Sequence, residues 1–319
     1  MATEPNQAHN QITFVGVDIS KETLDVSAGG NHRTFKNSPA GFRDLLKWVR
    51  KSQAETFQII CEATGGYERS LVQALHVENV PVSVVQPARV RSLARSLGAF
   101  AKTDKIDAAL LVRFGEITTP KAFTAPDRAT KALTELVDFR QQILDQISVL
   151  KNQQEHLTPG PLARSSNRIL RAYQAEIKLL EKTIDELMKA NQGLWENFQR
   201  LVQVKGVGRY TALGVLAYFP EIGKLSRKQA AALAGLAPYN KDSGNRKGHR
   251  SIHGGRTKLR GALYMAALTA AHKNPVLSQF YTKLKANGKA SKAALTAVMR
   301  KLIALLNHLI KHPEFSLAS

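Results

Sequence analysis

The hydrophobic pattern changes period once along this chain, and the change calls for two kinds of architecture. In the first ninety or so residues the apolar positions come in short runs. ITFVGVD (12–18), FQIICEA (57–63) and PVSVVQP (81–87) read as buried strands, and ETLDVSA (22–28) alternates as a half-buried strand does. A further short strand is expected from His32 to Phe35. Between them, PAGFRDLLKWVRK (39–51) places Pro39 at a helix start and Phe42, Leu45, Leu46 and Val49 on one face. TGGYERSLVQALHVENV then supplies a glycine turn and a second helix. Three antiparallel strands followed by β–α–β–α is the order of an RNase H-like α/β sheet domain.

From about Thr130 the period becomes helical. Leu136, Ile143, Leu150 and Leu157 recur every seven residues. After a loop expected over TPGPLARSS (158–166), Leu170, Ile177 and Ile184 form one series, and Tyr173, Leu180, Leu187 and Leu194 a second. Such a seam predicts a coiled-coil helical hairpin. Two readings fit it: the seam closes within the hairpin, or it is an arm that contacts another subunit. The remainder is mainly helical, interrupted by a polar, basic, glycine-containing stretch over 239–261. The expected fold is α/β plus all-α, with a sheet domain over 1–125, the hairpin over 126–199 and a helical domain over 200–319.

Charge narrows the partners. Lysines and arginines number 46 against 25 aspartates and glutamates, a formal net charge of +21. That surplus attracts polyanions, of which nucleic acid is the commonest. A membrane role is disfavoured: there is no uninterrupted apolar run of roughly 18 residues, and the cations are spread over several helices rather than one amphipathic stripe. MATEPNQAHNQ has no apolar signal core, and Cys61 is the only cysteine, so a cytoplasmic location is expected. The nine histidines and one cysteine show no zinc-finger spacing.

The chemistry starts with carboxylates. Asp18 ends one apolar strand and Glu62 ends another, where an acid is costly to bury without a partner. AKTDKIDA supplies Asp104 and Asp107, three apart on one face of a helix start. Taken singly, Asp18 could end its strand in solvent, Asp104 could cap its helix and Asp107 could sit in the first turn for the helix dipole. Taken together, four converging acids repel unless cations neutralise them. Oxygen donors suit Mg²⁺ (or Mn²⁺), and two such ions can stabilise the attacking and leaving oxygens of phosphoryl transfer.

At these residues the chain resembles the DEDD transposases of the IS-one-ten insertion-sequence group, in particular its IS-eleven-eleven branch, which is related to the Piv-type site-specific invertases. The stretches that carry the resemblance are VGVDISKETLDV, CEATGGYE, AKTDKIDA, VKGVGRYTA, LAGLAPYNKDSG and GGRTKLRGALYMAAL, and they cover most of the chain. The resemblance implies a RuvC-like N-terminal domain, a coiled-coil segment and a C-terminal transposase domain. It implies Mg²⁺-dependent DNA recombination by a homo-oligomer, dimer or tetramer, guided by a structured noncoding RNA. It also implies that Asp18, Glu62, Asp104 and Asp107 are the four acids. A serine in a Ser-Gly context after AGLAP is the family's nucleophile, which points to Ser243, with Ser251 as the fallback.

The surroundings of Ser243 suit that role. A hydroxyl needs its proton removed or a metal nearby to become a nucleophile. Lys241, Arg246, Lys247, Arg250, Arg256, Lys258 and Arg260 lie around it in sequence and could hold phosphate. The bland alternative is a solvated loop with a turn serine. VKGVGRYTA resembles a helix–hairpin–helix turn, in which Gly206 and Gly208 would let backbone N–H groups approach a phosphate, flanked by Lys205 and Arg209; two glycines also make an ordinary loop. Lys283, Lys285, Lys289, Lys292, Arg300 and Lys301 add charge near the C-terminus. The function expected is a transposase acting on double-stranded DNA. A metal-dependent junction-resolving nuclease would share the four acids without needing Ser243. A non-enzymatic nucleic-acid-binding protein would need neither.

Overall fold

The computed structural model describes residues 12–52, 56–99, 103–124, 126–240, 248 and 250–316. The chain divides into two compact units, Met1–Ala125 and Pro126–Ser319.

The first unit is built on a mixed sheet of β1 (Thr13–Ile19), β2 (Thr23–Ala28), β3 (Asn31–Lys36), β4 (Phe57–Glu62) and β5 (Val82–Val85). Their order across the sheet is β3-β2-β1-β4-β5. β1, β2 and β3 are antiparallel, and β4 and β5 join β1 in parallel on its other side. Side chains alternate between faces along a strand. Val15, Val17 and Ile19 therefore join the core under α1 (Pro39–Ser52) and α2 (Glu68–Val77), with Leu45, Val49, Leu71 and Leu75. Phe14 joins the opposite core, with Ile60, Val85, Val90 of α3 (Pro87–Ser96) and Leu111 and Phe114 of α4 (Asp104–Thr118).

α4 lies directly on the backbone of β1. A Cβ added to Gly16 would collide with the Ala108 carbonyl oxygen and stand 2.9 Å from Leu111 Cβ. One added to Gly115 would meet the Phe14 ring at 2.6 Å. Since Gly16 lies under Ala108, the helical turn before it, which holds Asp104 and Asp107, reaches the end of β1 that carries Asp18.

The second unit is helical. α5 (Arg128–Gln154) and α6 (Pro161–Lys189) run antiparallel, joined by Gln154 to Asn167 at 3.0 Å and by Arg140 to Glu181 at 2.8 Å. Ile143, Ile147 and Leu180 are buried between them, with Leu136, Leu170, Tyr173 and Ile177 packed alongside. α6 begins earlier than the sequence pattern suggests: residues 161–166, expected as loop, are helical. Pro161 opens the helix, a position where its missing N–H costs nothing and its fixed φ helps. The seam's last member, Leu194, falls on the next helix, α7 (Gln192–Val202).

Leu133, Ile184 and Met188 join the core formed by α7, α8 (Arg209–Tyr218), α9 (Arg227–Leu233), α10 (Thr257–Lys273), α11 (Pro275–Ala286) and α12 (Ser291–Lys311). A short ladder pairs β6 (Pro238–Tyr239) with β7 (Ser251–Ile252). Two side chains fix the loops around α12. Buried Asn307 accepts from the Gly223 N–H at 2.9 Å and donates to the Leu225 carbonyl at 2.8 Å. The Arg200 guanidinium donates to the Leu309 and His312 carbonyls at the helix C-terminus. α12 is long and apolar enough to cross a bilayer by length and composition, yet residues from Val298 to Leu309 pack into this core, as a core helix does.

Replacing Gly16 by alanine should separate α4 from β1. Overpacking of this kind costs about 1–3 kcal/mol or more. Urea denaturation of Gly16→Ala should show that loss; unchanged stability would mean α4 does not sit on β1.

Candidate carboxylate site and basic surface

The sheet itself brings acids together. Asp18 pairs with Asp25 across the antiparallel β1–β2 ladder, so both project from the α4 side. On the other flank Val17 pairs with Cys61, and the next step along the two parallel strands sets Asp18 beside Glu62, the last residue of β4. Neighbouring strands lie about 4.8 Å apart. α4 adds Asp104 and Asp107 from its first turn. Its N-cap is Thr103, whose hydroxyl accepts from the Ile106 N–H at 3.3 Å, so Asp104 is not the capping residue.

Electrostatics register the convergence. The Asp18 carboxyl is pushed above the ordinary carboxylate range by burial first and then by the negative charges of Asp107, Asp104 and Asp25. A hydrogen bond from the Ile19 N–H at 3.0 Å opposes the shift without cancelling it. The donor set is all oxygen and all of one sign, which suits a hard divalent cation. Among the described residues, no three Asp, Glu, His or Cys side chains already stand close enough to hold one ion.

Asp25 is the member that sequence reasoning missed. Its carboxylate accepts from the Thr34 hydroxyl at 2.7 Å and lies 3.4 Å from His32 Nε2. The alternation of ETLDVSA sets Asp25 on the face opposite Leu24 and Val26, but only the register shows that this is the face of Asp18. The turn after Glu62 is organised by Glu68. Its Oε2 accepts from the Thr64 N–H, the Thr64 hydroxyl and the Gly66 N–H at 2.9–3.1 Å. Burial pushes the Glu68 carboxyl up, and these bonds outweigh it and bring the carboxyl below its usual range. Cys61 takes no part: burial pushes its thiol up to about 12.

In the second unit three of the nominated cations prove to be engaged with acids, and a fourth with a backbone carbonyl. Arg256 forms a two-pronged pair with Glu221 at 2.5 and 2.6 Å and donates to the Tyr218 carbonyl at 3.1 Å. Burial raises the Glu221 carboxyl, but Arg256 more than reverses it and holds it below its usual range. Lys258 meets Asp138 at 2.6 Å, which also accepts from the Tyr218 hydroxyl at 2.7 Å. Arg209 meets Asp185 at 2.7 Å. Arg260 donates to the Gly254 carbonyl at 2.6 Å. These four were expected to face phosphate, and the structure gives each a partner within the fold.

Lys205 is exposed, and Gly208 precedes α8 with open space where a side chain would be. Gly206 has a structural reason: its φ is +102°, and a Cβ there would stand 2.7 Å from Ala270 Cα. Arg250 and Ser251 are exposed, Ser251 opposite Tyr239 in the β6–β7 ladder. Ser243, Lys241, Arg246 and Lys247 lie outside the described residues.

The raised Asp18 pKa has a consequence for stability. Because the folded value lies above the ordinary 3.8, the ionised form disfavours folding at neutral pH. That penalty is absent below the unfolded pKa, grows as pH rises through the interval, and is complete above the folded pKa. Without divalent ions, Asp18→Asn should therefore melt higher than the parent at pH 7, with the gap closing towards pH 3.8. Thermal melts across pH would show it; a lower melting temperature at pH 7 would contradict the crowding of charge.

Two family matches and several relatives bear on this site. Residues 15–158 match the DEDD transposase family of IS110, and residues 198–282 match the transposase family IS116/IS110/IS902. The pilin gene-inverting protein of Moraxella bovis is 30% identical over 303 residues, covering 92% of this chain and 94% of that protein. The pilin gene-inverting protein of Moraxella lacunata matches to the same extent. An uncharacterized 43.6 kDa protein of insertion element IS110 from Streptomyces coelicolor is 27% identical over 223 residues, 65% of this chain and 52% of that protein. The first match spans all four acids and both strand ends that carry them, and with relatives alike over nearly their whole length this chain belongs to the IS110 family of transposases.

Proposed function

We propose that this protein cuts and rejoins DNA at the Asp18–Glu62 edge of the sheet, through a covalent link between DNA and Ser243. The observation that carries the reading is the crowding of Asp18 by Asp25, Asp104 and Asp107 in a chain of the IS110 family. The strand order β3-β2-β1-β4-β5 supports an RNase H-like, RuvC-like domain in the first unit. Asp18, Glu62, Asp104 and Asp107 would hold two Mg²⁺ (or Mn²⁺) ions, which when bound neutralise the acids and stabilise charge developing on a phosphate.

The nucleophile we assign is Ser243, from the Ser-Gly context that follows AGLAP. Its Oγ bonds to phosphorus as the hydroxyl proton departs, and the bond from phosphorus to a deoxyribose oxygen breaks, with that oxygen leaving as a hydroxyl. The reverse step with a new deoxyribose hydroxyl rejoins the strands and frees the serine. Energy is conserved in the phosphoserine ester, so no external source is required. Relatives named as gene-inverting proteins support site-specific recombination as the outcome. A structured noncoding RNA as guide is part of the proposal, on the resemblance alone. Assembly as a homo-oligomer through the α5–α6 pair, with coiled-coil packing, is supported by Leu162 and Leu179, 71% and 57% exposed on α6. Lys205 and Gly208 remain candidates for phosphate contact at the start of α8.

The test is incubation with element-end DNA, its adjoining noncoding transcript and Mg²⁺, read on denaturing gels. The parent should give cleavage, joining and a protein–DNA adduct. Asp18→Asn should lose all three. Ser243→Ala should lose the adduct and keep DNA affinity. An adduct that persists in Ser243→Ala but disappears in Ser251→Ala moves the nucleophile to Ser251. Cleavage with no adduct at all marks a resolving nuclease, and DNA binding without cleavage by the parent, unchanged in Asp18→Asn, marks a binding protein.

A further inference from the structure

α3 carries an outward cationic face that neither the fold nor the proposed chemistry accounts for. Its sequence, PARVRSLARS, contains three arginines and no acid. Val90 is buried and Leu93 packs beside it, which sets the inward face. Arg91 and Arg95, four apart, share the opposite face with Ala88 and Ser92 and are exposed. The Ser92 hydroxyl is turned back to the Ala88 carbonyl at 2.8 Å. Small residues between two arginines leave a shallow notch of about 380 Å³, lined by Pro87, Ala88, Arg91, Ser92 and Arg95.

Other arginines of this unit have structural work. Arg50 meets Glu78 at 3.2 Å, Arg113 meets Glu116 at 2.9 Å, and Arg89 lies over the Phe114 ring at 5.2 Å. Arg91 and Arg95 have neither acid nor ring among the described residues. Arg95, in the last turn, gains something from the helix dipole. Arg91 gains nothing there, and like charges at this spacing repel. A pair kept in mutual repulsion, with no internal partner, is arranged for an external anion.

Its position identifies the anion. Val85, the last residue of β5, pairs with Glu62, and α3 starts two residues later at Pro87. α3 then packs against α4, the helix that carries Asp104 and Asp107. Along the α3 axis Arg91 stands only about 6 Å beyond Pro87, at 1.5 Å per residue. Guanidinium groups bind phosphate oxygens with paired donors.

We propose that Arg91 and Arg95 hold backbone phosphates of the DNA strand flanking the Asp18–Glu62 edge, which positions the strand for cutting. This rests on the reading of that edge as the cutting site. Contacts of this kind position a strand without reading its sequence.

The experiment uses the full chain and a short duplex DNA of arbitrary sequence, with affinity measured at several salt concentrations. Arg91→Gln/Arg95→Gln should lower the magnitude of the log–log salt slope by about 0.9 per lost contact, close to 1.8 for the pair. Lys47→Gln/Lys51→Gln, which removes the same charge from α1, should leave the slope unchanged. Thermal melts confirm that each variant is folded. A slope equal to that of the parent, or an equal fall in the lysine variant, overturns the proposal. So does a fall seen only with an RNA hairpin as probe. Binding is read without cleavage, so a chain that never cuts DNA yet shows the slope change would defeat the proposed function and not the phosphate contact.

Discussion

The seating of α4 on the bare backbone of β1 governs the first unit. Gly16 and Gly115 remove the side chains that would hold helix and strand apart, and the first turn of α4 then falls at the Asp18 end of the sheet. The arrangement opposes stability locally. The negative charges of Asp107, Asp104 and Asp25 all act on the Asp18 carboxyl and push it above its ordinary range. Acids at a helix N-terminus recover only about 0.3–1 kcal/mol each. Thr103 already serves as the cap, so Asp104 is not needed for that purpose. The Asp18 carboxyl stays raised despite its bond from the Ile19 N–H, so the charge gathered there is not relieved locally.

The legibility of this fold in sequence follows from which interactions are local. The buried strands, the amphipathic α1 and the long helices each declare themselves through periodicity within a few residues, and the observed bounds of β1, β4 and α1 differ from the expected ones by a residue at most. The start of α6 was obscured because TPGP reads as a turn while Pro161 is in fact the helix opener. Asp25 was obscured for a different reason. An acid on an alternating strand looks solvated until the strand is paired, and its meeting with Asp18 depends on register. Among the four acids periodicity marks two strand ends and a helix start, while their common side of the sheet depends on the assembled ladder and on the seating of α4 against β1.

The basic residues show the limit more sharply. A run of lysines and arginines in sequence looks like an electrostatic footprint, but whether a cation is available depends on acids far along the chain. Glu221 lies 35 positions before Arg256, and Asp138 lies 120 before Lys258. Local reading counts the cations and misses their partners. The same reading passed over α3, where the charge is sparse in sequence but unopposed in space. Net charge of +21 is therefore a poor map of where a polyanion is held, even though it correctly anticipates one.

The engaged cations hold the frame of the second unit in place. Arg256 follows β7 closely and ties the start of α10 to the Tyr218 carbonyl and to Glu221 after α8. Lys258, two residues on, ties the same helix to Asp138 of α5, which the Tyr218 hydroxyl also meets. Together these bonds tie α5, α8 and α10 to one another. A two-pronged arginine–glutamate pair fixes orientation as well as distance, which a lysine in its place would not. Cations that anchor a frame must have acids opposite them, and cations that grip phosphate must not. The pairing of each cation, rather than its presence, decides which of the two duties it is free to take.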